Sequence, residues 1–271
     1  MEVGEIIARA VAHKPKDDCW FCEEPHKGDL KNKEKADPDT SDAESSDPVA
    51  VPENKDDNNS SLLGKALINA GKTQPQWRIK NLLKPTKLTL VVPAAHHLIP
   101  GEASLAKAEA LLKFMREDGP NDYESDIGYD VNDARNGMWL PGNYAVRDGN
   151  PEFNKKTWTA QTPKFQRDYV KLAMNKAAGK MFHDAHRKYN GKVKTCLLGI
   201  ANKLVKRKKG KCPICGEPEK KTRPPFGLVG RLHGVSKDHG SMLEAPTKAT
   251  VNSGYYTSSK GRDVVLAKPG K

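Results

Sequence analysis

Two adjacent imidazoles, His96 and His97, close an apolar run in Ala95-His96-His97-Leu98-Ile99-Pro100. Neighbouring side chains on an extended strand point to opposite faces, so the two rings cannot do the same job. One could face a metal ion and the other a substrate water. A second pair, His183 and His186, stands one helical turn apart in Met181-Phe182-His183-Asp184-Ala185-His186-Arg187-Lys188-Tyr189-Asn190. Between the pairs lies Tyr129-Asp130-Val131-Asn132-Asp133-Ala134-Arg135-Asn136-Gly137-Met138-Trp139-Leu140-Pro141. A lone histidine is more often a satisfied core or surface residue. An adjacent pair, an i,i+3 pair and an asparagine in order between them read as a site.

The thiols form a second constellation. Of the five cysteines, four make two CxxC pairs, Cys19-Trp20-Phe21-Cys22 and Cys212-Pro213-Ile214-Cys215-Gly216, while Cys196 falls in an apolar helical stripe. Two such pairs supply the four thiolates of tetrahedral zinc, and Cys-Pro-x-Cys-Gly resembles the knuckle in which backbone N–H groups approach the sulfurs. One structural zinc shared by Cys19, Cys22, Cys212 and Cys215 is therefore expected. A redox CxxC would sit at a helix N-terminus after a strand, a context neither pair has; two disulfides are the remaining reading. His26 is a less favoured zinc ligand, and His13, His233 and His239 are read as ordinary core or surface residues.

The elements that must position these residues follow from periodicity. Leu88-Thr89-Leu90-Val91-Val92 reads as a buried strand delivering the histidine pair. Leu105, Ala108, Leu111, Leu112 and Met115 recur at helical spacing before Asp118-Gly119-Pro120 stops the pattern. Phe165, Tyr169, Leu172 and Ala173 predict a second helix. A third is expected to begin near His183 and to run through Val193, Leu197, Ile200 and Leu204 into Lys206-Arg207-Lys208-Lys209, whose charges complement a helix C-terminus. Trp139 and Leu140 read as core.

With 36% hydrophobic residues and a mean hydropathy of -0.74, the 271-residue chain is too polar to be folded throughout. Residues 1–29 read as an N-terminal arm with the first CxxC. Residues 30–61 are rich in Asp, Ser, Pro, Glu and Lys and read as a disordered acidic linker, because they cannot bury enough apolar area to offset their ordering entropy. A folded domain is expected over 62–205. A basic segment, the second CxxC and a Pro/Gly-rich polar tail follow over 206–271. The excess of 46 Lys+Arg over 34 Asp+Glu, net +12, favours a polyanionic partner. No stretch approaches the ~20 apolar residues of a membrane span, and no signal-peptide h-region is visible at the N-terminus.

Taken in order, Ala95-His96-His97, Asn136-Gly137-Met138-Trp139-Leu140-Pro141 and His183-x-x-His186 followed by Tyr189-Asn190 resemble the AHH family of His-Me finger, or HNH-type, nucleases. Many members of that family are toxin domains of bacterial secretion systems. The resemblance covers about Leu88 to Val205. It implies an α+β fold in which a ββα-metal catalytic unit is embedded in a helical shell. It further implies His97 as general base, His96 as metal ligand on the opposite side of the strand, and Asn136 as the group that orients His97 through its other ring nitrogen. His183 and His186 would complete the metal site from the third helix; their three-residue spacing departs from the four of some relatives, which implies that one of them could face substrate or a carboxylate, and His186 is favoured because it lies further into the predicted helix. Asn132 or Asp133 could stand in for Asn136 or act as an oxygen ligand. Arg135 and Lys188 flank the motifs as possible phosphate contacts. The long stretch from Pro141 to His183 implies an inserted helix.

Such a constellation suits phosphodiester hydrolysis. An imidazole with a pKa of about 6.5 can take the water proton, while a divalent cation stabilises the phosphate charge and the leaving oxygen. The implied activity is a metal-dependent DNA endonuclease with little sequence preference, its metal (Mg, Zn, Ni or Mn) left open. The implied setting is an antibacterial effector, secreted or injected, that acts in the target-cell cytoplasm. Its partners would be DNA, a cognate immunity protein, acidic if it covers a basic cleft, and a component of the secretion apparatus. The alternatives are an RNase toxin of the same fold and a non-catalytic zinc-dependent nucleic-acid-binding protein.

Overall fold

The computed structural model describes residues 60–116, 127–142, 158–184, 186–205 and 227–267. Both expected CxxC pairs, the N-terminal arm and nearly all of the acidic linker lie outside the described residues. Helix α1 (Ser60–Asn69) begins at the expected end of that linker. Two antiparallel strand pairs follow, β1 (Trp77–Lys80) with β2 (Leu88–Val91) and β3 (Pro93–His97) with β4 (Gly137–Pro141). Between β3 and β4 the chain makes a π-type turn at Gly101–Leu105, a short helix α2 (Glu109–Leu112) and a 3-10 turn at Ala134–Asn136. Helices α3 (Pro163–Lys176) and α4 (Arg187–Val205) come next, then α5 (Gly227–Glu244), α6 (Lys248–Asn252) and α7 (Ser259–Leu266). The described residues thus form a mixed helix and small-sheet, α+β architecture, and α3 lies in the stretch where an inserted helix was expected.

The apolar run before the histidines is not the strand that delivers them. Leu88–Val91 alternates, with Thr89 and Val91 buried and Leu88 and Leu90 exposed, which is the pattern of a strand with one solvated face. The run ends at Pro93, which lacks an N–H, and the next five residues pair with a different partner. All five residues of β3 are buried because both of its faces are covered. Ala95 packs with Leu63 and Leu67 of α1 and with Trp139 of β4. Register places His96 opposite Met138 and His97 opposite Gly137. A Cβ on Gly137 would fall 2.6 Å from Leu63 Cδ1, so this glycine is what lets α1 close over the hairpin beside His97. Lys72 adds a cap, its ammonium donating to the carbonyls of Ala134 (2.9 Å) and Gly137 (3.2 Å).

The periodic apolar positions fall in the core, although the elements that carry them are less regular than their spacing predicts. Leu105, Ala108, Leu111, Leu112 and Met115 are buried, yet only Glu109–Leu112 is α-helical. Helix α3 starts as its sequence dictates, with the Thr162 side chain accepting from Phe165 N and Pro163 in the first turn. The larger departure is at the end of the chain. Within the expected polar tail, residues 227–267 form α5, α6 and α7, and Leu228, Leu232, Val235, Leu243, Val264 and Val265 join the same hydrophobic core as α3 and α4. Glycines interleaved with this apolar stripe mask its helical period in the sequence. No helix of the described residues is long and apolar enough to cross a membrane.

Candidate active site

Strand alternation sends His96 and His97 to opposite sides of β3, and each side has its own chemistry. His96 meets His183 and His186. The three ring centroids lie 5.0, 5.1 and 5.0 Å apart, and one ring nitrogen of each histidine lies within 4.8 Å of the other two. All three rings are buried. Burial first, and then the neighbouring His183, His186, His97 and His239, hold the His96 pKa well below the usual histidine value. A neutral imidazole keeps a lone pair, which is the form that ligates a metal. The Nε2 of His96 is buried without a hydrogen-bond partner, an arrangement that a ligand would complete.

The two downstream histidines reach this point by different routes. His183 precedes the helix; its N–H donates to Pro141 O at 2.8 Å in a bridge that extends the end of β4. Its segment is also held by Thr257, whose hydroxyl donates to Phe182 O (2.8 Å) and whose carbonyl accepts from Asp184 N (2.6 Å). His186 sits immediately before α4, where its carbonyl accepts from Asn190 N (3.1 Å). The expected third helix therefore starts at Arg187 rather than near His183, and a helical i,i+3 relation does not govern the pair. Both histidines converge with His96, so His186 is not favoured over His183. The amide oxygen of Asn190 sits 2.9 Å from His186 Nδ1, which makes Nδ1 the N–H and leaves the lone pair on Nε2. Asn190 is in the quoted motif but had no role assigned; its i,i+4 offset from His186 was the signal available. Tyr189, likewise unassigned, packs its ring 5.2 Å from His96 and donates its hydroxyl to Leu98 O at 2.7 Å.

On the other side of β3, His97 Nε2 lies 3.0 Å from Asn132 Oδ1. Asn132 is fixed in turn by its own N–H, which donates to Asp130 Oδ1 at 2.8 Å. An amide oxygen can only accept, so Nε2 carries the proton and Nδ1 is the basic nitrogen of His97.

The expected contact between Asn136 and His97 is replaced by this one. Asn136 Oδ1 accepts from Ile99 N (2.8 Å) and Ser236 Oγ (2.8 Å), and its Nδ2 donates to Ile99 O (3.0 Å) and Val131 O (2.9 Å). Four bonds fill the capacity of an amide, so Asn136 ties the chain after β3 to the chain before β4 and has nothing left for an imidazole. Asp133 does not take that place either. It caps the 3-10 turn and holds Arg135 through Nε (3.0 Å) and Nη2 (2.8 Å). Burial pushes the Asp133 carboxyl up, but its bonds to Arg135 outweigh that and hold it below its ordinary value. Arg135 is exposed in this ion pair, and Lys188 is exposed in the first turn of α4, two residues beyond His186. Cys19, Cys22, Cys212 and Cys215 fall outside the described residues, while Cys196 is partly buried on α4.

Neither a curated protein nor a solved structure matches the chain. A family model does match, and it spans β3, the block ending in Pro141 and both downstream histidines. The match is to AHH, a nuclease family of the HNH/ENDO VII superfamily with conserved AHH, over residues 91–212, and the triplet stands here as Ala95-His96-His97.

Proposed function

We propose that this segment is a metal-dependent endonuclease of the His-Me finger type that hydrolyses DNA phosphodiesters with little sequence preference. The observation that carries the reading is the division of labour across one strand, with three convergent imidazoles on the His96 side and a hydrogen-bonded basic imidazole on the His97 side. The β3–β4 hairpin followed by α4 supports a ββα-metal unit.

The residues fit a divalent cation. His96, His183 and His186 would hold it as neutral nitrogen donors, and the buried, unpartnered Nε2 of His96 is the atom it would satisfy. A bound cation would supply Lewis acidity to the scissile phosphate and its leaving oxygen. His97 Nδ1 takes the proton of the attacking water. The Asn132 oxygen holds the His97 tautomer that leaves Nδ1 basic, and it then stabilises the imidazolium that proton transfer creates. Asp130 keeps Asn132 in place through its backbone. Lys188, exposed two residues after His186, is proposed as a phosphate contact, whereas Arg135 must first give up Asp133.

The net charge of +12 supports a polyanionic substrate. The biological setting proposed is an antibacterial effector, delivered into a target cell and neutralised in its producer by an acidic immunity protein; the resemblance to toxin nucleases supports it. The four CxxC cysteines are proposed to bind one structural zinc. Incubating the purified protein with plasmid and with structured RNA, with added divalent cation and with chelator, tests the function. Cation-dependent conversion of supercoiled plasmid to linear and smaller products is expected. Cleavage of RNA alone would make the protein a ribonuclease, and cleavage of neither substrate would overturn the nuclease reading.

A further inference from the structure

Helix α5 lies beyond the family-matched residues 91–212, yet it reaches the backbone that follows His97. Ser236 and His239, about one turn apart and both buried, face the same short stretch of chain. Ser236 Oγ donates to Asn136 Oδ1, and the Asn136 amide brackets Ile99 through both its N–H and its carbonyl. The His239 imidazole donates to the carbonyl of Leu98, which also accepts the Tyr189 hydroxyl at 2.7 Å. Leu98 N donates to Asn136 O at 2.8 Å. The peptide groups just after the base are thereby held by two donors from α5, one directly and one through Asn136. Close approach is built in, because a Cβ on Gly240 would sit 3.4 Å from Leu98 Cδ1. His239 is itself wedged between the rings of Tyr189 (5.9 Å) and Tyr255 (5.4 Å), and its Nδ1 is buried with no partner.

From this geometry we infer that His239 is a positioning residue for His97, acting through the Leu98 carbonyl, so that the functional nuclease unit extends through α5 and does not end with the family-matched segment. A purely packing histidine would need no donor aimed at that carbonyl; a phenyl ring would fill the same space between two tyrosines. A backbone shift of a fraction of an ångström at residue 98 moves the His97 ring relative to Asn132 and to an attacking water. It leaves the His183 and His186 ligands, which come from other segments, where they are. The inference rests on the nuclease reading above and concerns one residue of it.

The test compares the full-length protein with His239→Phe, which keeps the ring and removes the donor, and His239→Gln, which restores an N–H donor. Cleavage of supercoiled plasmid is measured at saturating and limiting substrate, alongside calorimetric binding of Mn²⁺ and thermal unfolding. His239→Phe is expected to lower kcat by about 10–100-fold, the range for loss of a supporting bond, with KM and Mn²⁺ affinity changed less than about threefold. His239→Gln is expected to recover a substantial part of that loss. Should His239→Phe fail to fold, Ser236→Ala, which weakens the same clamp through Asn136, is expected to lower kcat without changing KM. A folded His239→Phe that cleaves at the wild-type rate, or a loss that tracks Mn²⁺ affinity or KM instead of kcat, overturns the inference while leaving the nuclease reading intact. A wild-type protein that cleaves neither plasmid nor RNA overturns both.

Discussion

On one side of β3, His96 meets the rings of His183, His186 and Tyr189, whereas on the other His97 meets the side-chain amide of Asn132, whose backbone N–H donates to the Asp130 carboxylate. The residues are neighbours in the chain, both are buried, and the difference lies in what each face is given to bond with. A cluster of buried, converging imidazole nitrogens suits a cation. A single imidazole with one nitrogen tied to an amide oxygen suits proton transfer. The same contrast separates Asn132 and Asn136, four residues apart. The first serves an imidazole, while the second has all four bonds on backbone and a serine.

The largest effect expected from this contrast is at His97. His97→Ala should reduce plasmid cleavage by about 10²–10⁴-fold, the range for loss of a general base, while the variant stays folded. Single-turnover cleavage assays with the folded variant measure it, and a near-wild-type rate would remove His97 from the mechanism.

The asparagines sharpen the comparison. Asn132→Ala should cost about 10–100-fold in kcat with little change in stability. Asn136→Ala should lower stability by about 3 kcal/mol or more, beyond any loss of kcat through the backbone after His97, because it strands buried groups of Ile99, Val131 and Ser236. Urea denaturation and kinetics on both variants separate the two roles. Equal effects on kcat with equal effects on stability would mean that the distinction between the asparagines is not real.

A smaller effect appears in the pH dependence of the metal-free protein. His96 is held well below the ordinary histidine value, and burial pushes His239 down to about 4 despite its bond to Leu98, which raises it. The folded state therefore stays neutral at these sites while the unfolded chain takes up protons below pH about 6.5. Stability is full above that pH and falls as pH drops from about 6.5 toward 4, with a slope of at most about 1.4 kcal/mol per pH unit for each group. Thermal midpoints recorded without metal between pH 7.5 and 5 should decline on the acid side. A flat or rising profile would show that these rings are protonated in the fold.

The four histidines of the candidate site were legible in the sequence because their identities and order are local. Adjacency on a strand alone puts His96 and His97 on opposite faces, and the pair at 183 and 186 names the remaining nitrogens. The partner of His97 was not legible, since Asn132, Asp133 and Asn136 sit within one irregular turn. Only the path of that turn decides which amide meets the ring. Spacing also misplaced the start of α4, because His183 is held by a bridge to the end of β4 and by Thr257, contacts that no local period encodes. The helices after residue 226 were hidden by glycines such as Gly230, Gly234 and Gly240, which read as turn residues until the packing of α5 against Leu98 gives Gly240 a reason.

Calorimetric titration of a divalent cation into His96→Ala and His97→Ala tests most directly whether the two faces of β3 divide metal binding from proton transfer. His97→Ala should bind Mn²⁺ with close to wild-type affinity and turn over slowly. His96→Ala should lose at least about tenfold in affinity, as removal of a ligand requires. Unchanged binding in His96→Ala, or an equal loss in both variants, would contradict the division.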